Sequence, residues 1–127
     1  MTLTEWTSNQ SRSTTYTLDD DETLRGEGSK QITLYSTASN ALSVTSNLGD
    51  WEKNAVIENL IIDGNGSNTG ILLQDVYNCY IKNVVIKDCD IGIKLTATSG
   101  NWTEATHIEH VRMINVNKGI VLSLIHI

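Results

Sequence analysis

Proline and phenylalanine are absent from the 127 residues, and only two cysteines and three tryptophans occur. Basic residues are scarce too: nine Lys and Arg stand against fifteen Asp and Glu, a net charge of −6. A nucleic-acid surface needs a basic face, so that class of function is excluded. No apolar run reaches the roughly 18 residues of a membrane-spanning helix. Met1 to Trp6 carries neither a basic region nor an apolar core, so no secretory signal is expected. Cys79 and Cys89 have no second cysteine pair or histidine partner at zinc spacing, and they read as two thiols lining an interior. Gly26-Glu-Gly28 lacks the third glycine of a dinucleotide loop and precedes a strand pattern. Helical spacing of apolar residues is missing throughout Ala55 to Leu122.

That same stretch contains three similar segments. The first is Ala55-Val-Ile-Glu-Asn-Leu-Ile-Ile-Asp-Gly followed by Thr69-Gly-Ile-Leu-Leu. The second is Cys79-Tyr-Ile-Lys-Asn-Val-Val-Ile-Lys-Asp followed by Ile91-Gly-Ile-Lys-Leu. The third is Thr106-His-Ile-Glu-His-Val-Arg-Met-Ile-Asn followed by Lys118-Gly-Ile-Val-Leu. Ile57, Ile81 and Ile108 lie 24 and 27 residues apart, and Gly70, Gly92 and Gly119 lie 22 and 27 apart. Units of this length cannot bury an apolar face alone and must stack on their neighbours.

Within each unit the apolar residues alternate, as in Leu60/Ile62 and Ile71/Leu73, which is the strand period. Asn59, Asn83 and His110 interrupt the alternation at equivalent places. A bend of one residue needs an unusual backbone state, which Asn tolerates best among non-glycine residues. Stacked rungs would set Asn59 and Asn83 about 4.8 Å apart, within reach of a bond between their side chains. The expected fold is all-β: a right-handed parallel β-helix with three strands per coil and about four coils. A leucine-rich-repeat horseshoe needs denser leucines and usually a helix per unit.

The pattern Gly-Ile-x-Leu, then Ile-x-Asn-Leu/Val-x-Ile, then Asp-Gly-Asn or Asp-Cys resembles the pectin-lyase-like right-handed β-helix superfamily. That group includes pectate lyases, polygalacturonases and phage tail spikes. Thr23-Leu-Arg-Gly-Glu-Gly-Ser-Lys-Gln-Ile-Thr-Leu is similar to its usual entry into the first coils, so the resemblance covers roughly Thr23 to Leu122. It implies a rigid, polysaccharide-contacting shaft of a phage tail or surface appendage, located in a virion or outside the cell. A polysaccharide lyase or glycoside hydrolase lacking its catalytic coils is the alternative, and a purely structural spacer is a third. The Asn-Thr-Asp, Gly-His-Gly and Arg-Ile-Lys motifs of the polygalacturonase-like hydrolases do not occur. Arg112 is the sole arginine of the repeats, so the lyase machinery cannot be placed either.

Residues 1–22 read as a lead-in and residues 23–122 as coils. The ending Leu122-Ser-Leu-Ile-His-Ile resembles a translated sequencing adapter, so 123–127 are expected to be foreign and the coils to continue beyond them. Two long loops carry Trp51 and Trp102, each six residues before its coil isoleucine, with Asp75 and Tyr77 in the shorter loop between. Aromatic faces stack on sugar rings while nearby carboxylates bond the hydroxyls, so Trp51, Trp102, Tyr77 and Asp75 are the candidate glycan contacts. The opposing expectation is that each Trp packs on its own loop. Catalytic residues are not assigned. Asp88 and Asp90 are the nearest approach to an acid pair, but Asp88 aligns with the turn residues Gly64 and Asn115. His107 and Glu109 should point outward, and His110 should take the bend. Asp63, Asn65 and Ser67 alternate as in a calcium loop, yet the sixth and twelfth places are Asn68 and Gln74, so a wide turn is expected and no cofactor. Ile61 over Val85 makes an apolar outward pair, which a homotrimer or a covering loop would bury.

Overall fold

The computed structural model describes residues 2–19, 21–45, 54–98 and 102–123. They form a parallel β-solenoid of about four turns with no helix among the described residues. Ten strands follow the chain: β1 (Thr2–Trp6), β2 (Gln10–Arg12), β3 (Tyr16–Leu18), β4 (Glu22–Gly26), β5 (Thr33–Ser36), β6 (Asn40–Thr45), β7 (Ala55–Asp63), β8 (Thr69–Gln74), β9 (Cys79–Thr96) and β10 (His107–Ser123). All strand pairings are parallel. The stacking order β1–β4–β7–β9 continues to β10, while β2–β5–β7 and β3–β6–β8–β9 complete the other faces.

The columns follow the alternation read from the sequence. Leu24, Ile57, Ile81 and Ile108 lie in register. Leu34, Ile62, Ile86 and Met113 form a second column. Leu42, Ile71, Ile93 and Ile120 form a third, with Val44, Leu73, Leu95 and Leu122 beside it. Leu24, Leu34, Leu42, Ile57, Ile62, Ile71, Ile81, Ile86 and Ile93 are fully buried. Each such side chain contributes about 1.5–3 kcal/mol through loss of water contact, and no single rung could achieve that burial alone. Cys79 and Cys89 lie in the same interior as free thiols.

Corners are made by residues in left-handed backbone conformation. Asn59, Asn83 and His110, with φ of 59°, 55° and 51°, turn the chain at one corner, as the repeat implied. Asp88 and Asn115 turn it at the next, with φ of 55° and 54°. Because a single residue suffices, β9 and β10 each run unbroken around the rung where separate short strands had been expected. The corner amides bond down the stack: Asn83 Nδ2 donates to Asn59 Oδ1 at 2.9 Å, and Asn59 Nδ2 donates to the Gly26 carbonyl at 3.2 Å. Asn115 donates to Asp88 Oδ1 at 2.8 Å and Asn117 to Asp90 Oδ1 at 3.1 Å.

Residues 2–18, part of the polar stretch read as a lead-in, stack as the first rung through β1, β2 and β3. Their inward positions include Thr4, Gln10 and Tyr16, each beneath a leucine of the next rung, and the buried Leu18 beneath Val44. A terminal rung has one side of its interior open to water, so polar side chains can point inward there. Arg12 covers this end, its guanidinium carbon 5.5 Å from the Trp6 ring centroid and 5.0 Å from that of Tyr16. The two rings meet edge to face at 5.3 Å, and the Tyr16 hydroxyl donates to Glu22 at 2.6 Å. Ser123 remains paired with Thr96, whose hydroxyl donates to its carbonyl at 2.9 Å.

Candidate functional site

The loops that connect successive rungs come together around Tyr77 and Trp102. Residues 75–78 join β8 to β9, and residues 102–106 lead into β10. Parallel stacking carries one loop over the other, and an isolated bridge between Tyr77 and Glu104 joins them. Glu104 N–H donates to the Val76 carbonyl at 3.0 Å, and Asn78 N–H donates back to the Glu104 carbonyl at 3.2 Å. Thr103 is buried: its hydroxyl donates to the Thr96 carbonyl at 2.7 Å and accepts from Val76 N–H at 3.2 Å. The loop bearing Trp102 is therefore pinned on both sides.

Of the four expected glycan contacts, two meet. The Trp102 and Tyr77 ring centroids are 5.8 Å apart with planes tilted by 53°. Trp102 is 44 % exposed while Tyr77 is buried, so Trp102 offers surface and Tyr77 supports it. The Tyr77 pKa is raised, first by burial and then by the Glu104 charge, and a hydrogen bond from Trp102 partly offsets this. Asp75 sits beside them but turns inward. Its carboxylate accepts from Thr98 N–H and from the Thr98 hydroxyl, both at 2.8 Å, and its backbone φ is 59°. That carboxylate holds the loop that follows β9. Trp51 lies outside the described residues.

A second surface was missed in the sequence. Glu5, Arg25, Glu58, Lys82 and Glu109 stand in one outward column, alternating in sign from rung to rung. Arg25 Nε lies 2.9 Å from Glu5, and Lys82 Nζ 3.5 Å from Glu58. The column borders a groove of about 430 Å³ that also takes in Asn59, Asn83 and His110. Beside it, Tyr80 and His107 stack at 4.6 Å and 8°. Glu58, Lys82 and Glu109 each follow the repeat isoleucine directly, so three of the ladder's five members could have been read from the alignment of the repeats. Glu5 and Arg25 could not, because their rungs carry no recognisable copy of the motif.

The remaining polar candidates are engaged in the scaffold. Asp88 and Asp90 each accept an amide from the rung above. Asp63 pairs with Lys87 at 3.7 Å, and Asn65 Oδ1 accepts from both the backbone N–H and the hydroxyl of Ser67. Among the described residues, no group of three His, Cys, Asp or Glu side chains converges to hold a metal. Ile61 and Val85 are half-buried and share a groove of about 270 Å³ with Lys30, Gln31 and Ile32 of the β4–β5 connection. A loop of the chain thus flanks that apolar pair.

Geometry and sequence together define a parallel β-solenoid with a pinned aromatic loop pair on its flank. No protein-family model matches the chain, and neither a curated protein nor a solved structure matches it.

Proposed function

We propose that this chain is a rigid β-solenoid shaft of a phage tail or other surface appendage, one that touches glycan through Trp102 backed by Tyr77. The exposed indole on a pinned loop is the observation that carries the reading. An aromatic ring that is partly open to water on a pinned loop is suited to the C–H face of a sugar ring. Pre-positioning by the Thr103 and Glu104 hydrogen bonds lowers the ordering cost of binding. The charge column pairs Arg25 with Glu5 and Lys82 with Glu58, so it suits a neutral, hydroxyl-rich chain better than a long run of one charge. The pectin-lyase-like resemblance fits this role, since members of that superfamily contact polysaccharides.

A glycan array with the wild-type chain and Trp102→Ala tests the proposal. Loss of about 1–3 kcal/mol of binding, with an unchanged melting temperature, is the expected result. Equal binding by the two proteins would defeat it.

A further inference from the structure

Tyr35 stands in the outward column Ser11–Tyr35–Asp63–Lys87 and is 48 % exposed. The column lies on the face built from β2, β5, the second half of β7 and the middle of β9. Trp102 and Tyr77 are placed elsewhere, in the loops that join β8 to β9 and β9 to β10. Leu34 and Ile62 directly precede Tyr35 and Asp63 and are fully buried, so strand alternation turns Tyr35 and Asp63 outward. A groove of about 630 Å³ runs beside them, bordered also by Ser11, Ser13 and Thr37. Three successive rungs contribute to it, so it spans about 10 Å along the solenoid.

The rim of this groove is held in place. Thr37 N–H donates to the Arg12 carbonyl at 3.0 Å, and Asn68 Nδ2 donates to the Ser36 carbonyl at 3.1 Å. A ligand would have little left to order. The side-chain polar groups remain available. Among the described residues, the hydroxyls of Ser11, Ser13, Tyr35 and Thr37 have no hydrogen-bond partner. Asp63 Oδ2 lies 3.7 Å from Lys87 Nζ, which leaves Oδ1 to accept.

These groups narrow the class of ligand. A phosphate or other polyanion would have to displace Asp63 from Lys87, and the Arg12 guanidinium is already placed over the Trp6 and Tyr16 rings. An apolar ligand would strip water from four hydroxyls and a carboxylate without replacing its hydrogen bonds. An extended peptide seeks backbone partners, and the backbone here is paired between rungs. A neutral sugar meets every demand: its C–H face packs on an aromatic ring, its hydroxyls donate to a carboxylate, and they exchange hydrogen bonds with Ser and Thr. We propose that the groove is a saccharide subsite for two adjoining rings of a neutral glycan, with Tyr35 as the platform and Asp63 as the acceptor. It does not rest on Trp102 acting as a glycan contact.

The probes are cellohexaose, maltohexaose and N-acetylchitohexaose, titrated by calorimetry into the full chain carrying Trp102→Ala, so that the Trp102 loop contributes nothing. At least one should bind saturably. Tyr35→Ser should weaken that binding by about five- to tenfold, and Asp63→Asn by about tenfold. Both positions face outward, so the variants should fold normally, which circular dichroism checks. Labelling with 3-fluorotyrosine locates the site: of the four tyrosine signals, the one lost in Tyr35→Ser should move most on binding. Hexagalacturonate, an anionic chain of the same length, should bind more weakly than the neutral sugars. Absence of saturable binding by all three neutral sugars would overturn the proposal, and so would binding that neither substitution changes. Tighter binding of hexagalacturonate would overturn it in favour of an anion site. If these sugars bind the chain with Trp102 intact and not the Trp102→Ala chain, the Trp102 reading stands and this one falls.

Discussion

Adding one methyl group at Gly92 tests the stacking directly. A Cβ there would lie 2.7 Å from the Gly119 carbonyl oxygen and 2.7 Å from Met113 Sδ. The same atom at Gly70 would lie 2.7 Å from the Gly92 carbonyl oxygen and 2.9 Å from Ile86 Cγ2. Methionine can swing aside, but the carbonyl belongs to a strand held in ladder hydrogen bonds, so the rungs must part. Ala41 occupies the same column below Gly70 and is fully buried, so the stack can open for a methyl where neighbours have adjusted. The cost is that of opening, about 1–3 kcal/mol, or a fall in Tm of about 3–10 °C for a chain of this size. Gly119 supplies the control. It has the same local sequence, but among the described residues its Cβ would meet only Met113 Sδ, at 3.4 Å. Gly119→Ala should therefore be neutral or gain up to about 1 kcal/mol by restricting the unfolded chain. Urea and thermal unfolding followed by far-ultraviolet circular dichroism would rank the three variants. A Gly119→Ala loss as large as that of Gly92→Ala would refute the reasoning, since backbone flexibility rather than close approach would then explain all three.

Ile81→Ala removes a fully buried side chain from the middle of its column and should cost about 2–5 kcal/mol; Ile108→Ala, half-buried at the open end, should cost distinctly less, and equal urea midpoints would contradict the column. Asn83→Ala loses both the amide bond to Asn59 and the residue's tolerance of φ 55°, so it should be about 1 kcal/mol less stable than Asn83→Gly in the same assay, whereas the reverse order would remove strain at the corner as the cause. Burial pushes the Cys79 thiol up to about 12. The folded chain then holds a proton that the unfolded chain releases above about pH 9, so this contribution is complete below that pH and declines as pH rises toward 12. The stability difference between wild type and Cys79→Ala should shrink between pH 8 and pH 11, and a constant difference would count against a buried neutral thiol.

Much of the architecture was legible before any coordinates. Repeats that align Ile57, Ile81 and Ile108, period-two alternation, and Asn59, Asn83 and His110 at equivalent breaks demand stacked rungs, because each is a local rule with one geometric solution. The candidate contacts were legible only in part. Trp102 and Tyr77 were picked out as aromatic loop residues, and they meet, with Trp102 44 % exposed and Tyr77 buried beneath it. Asp75 looked the same in sequence, yet its carboxylate turns inward to Thr98. Nothing in a residue's type says whether a loop side chain faces water or closes the loop beneath it.

Three features came from tertiary structure alone. The polar residues 2–18 form a rung because β4, β5 and β6 offer them an edge, and pairing with an existing edge outweighs their weak strand pattern. The ladder from Glu5 to Glu109 exists only once those rungs are in register. The placing of Arg12 over the Trp6 and Tyr16 rings depends on the turns of one rung bringing these side chains together, and that is a property of the stack. The amino-acid order determines which face of each strand is apolar, since that alternation is local. Stacking decides which of those faces meets protein and which meets water, because burial depends on partners far apart in the chain.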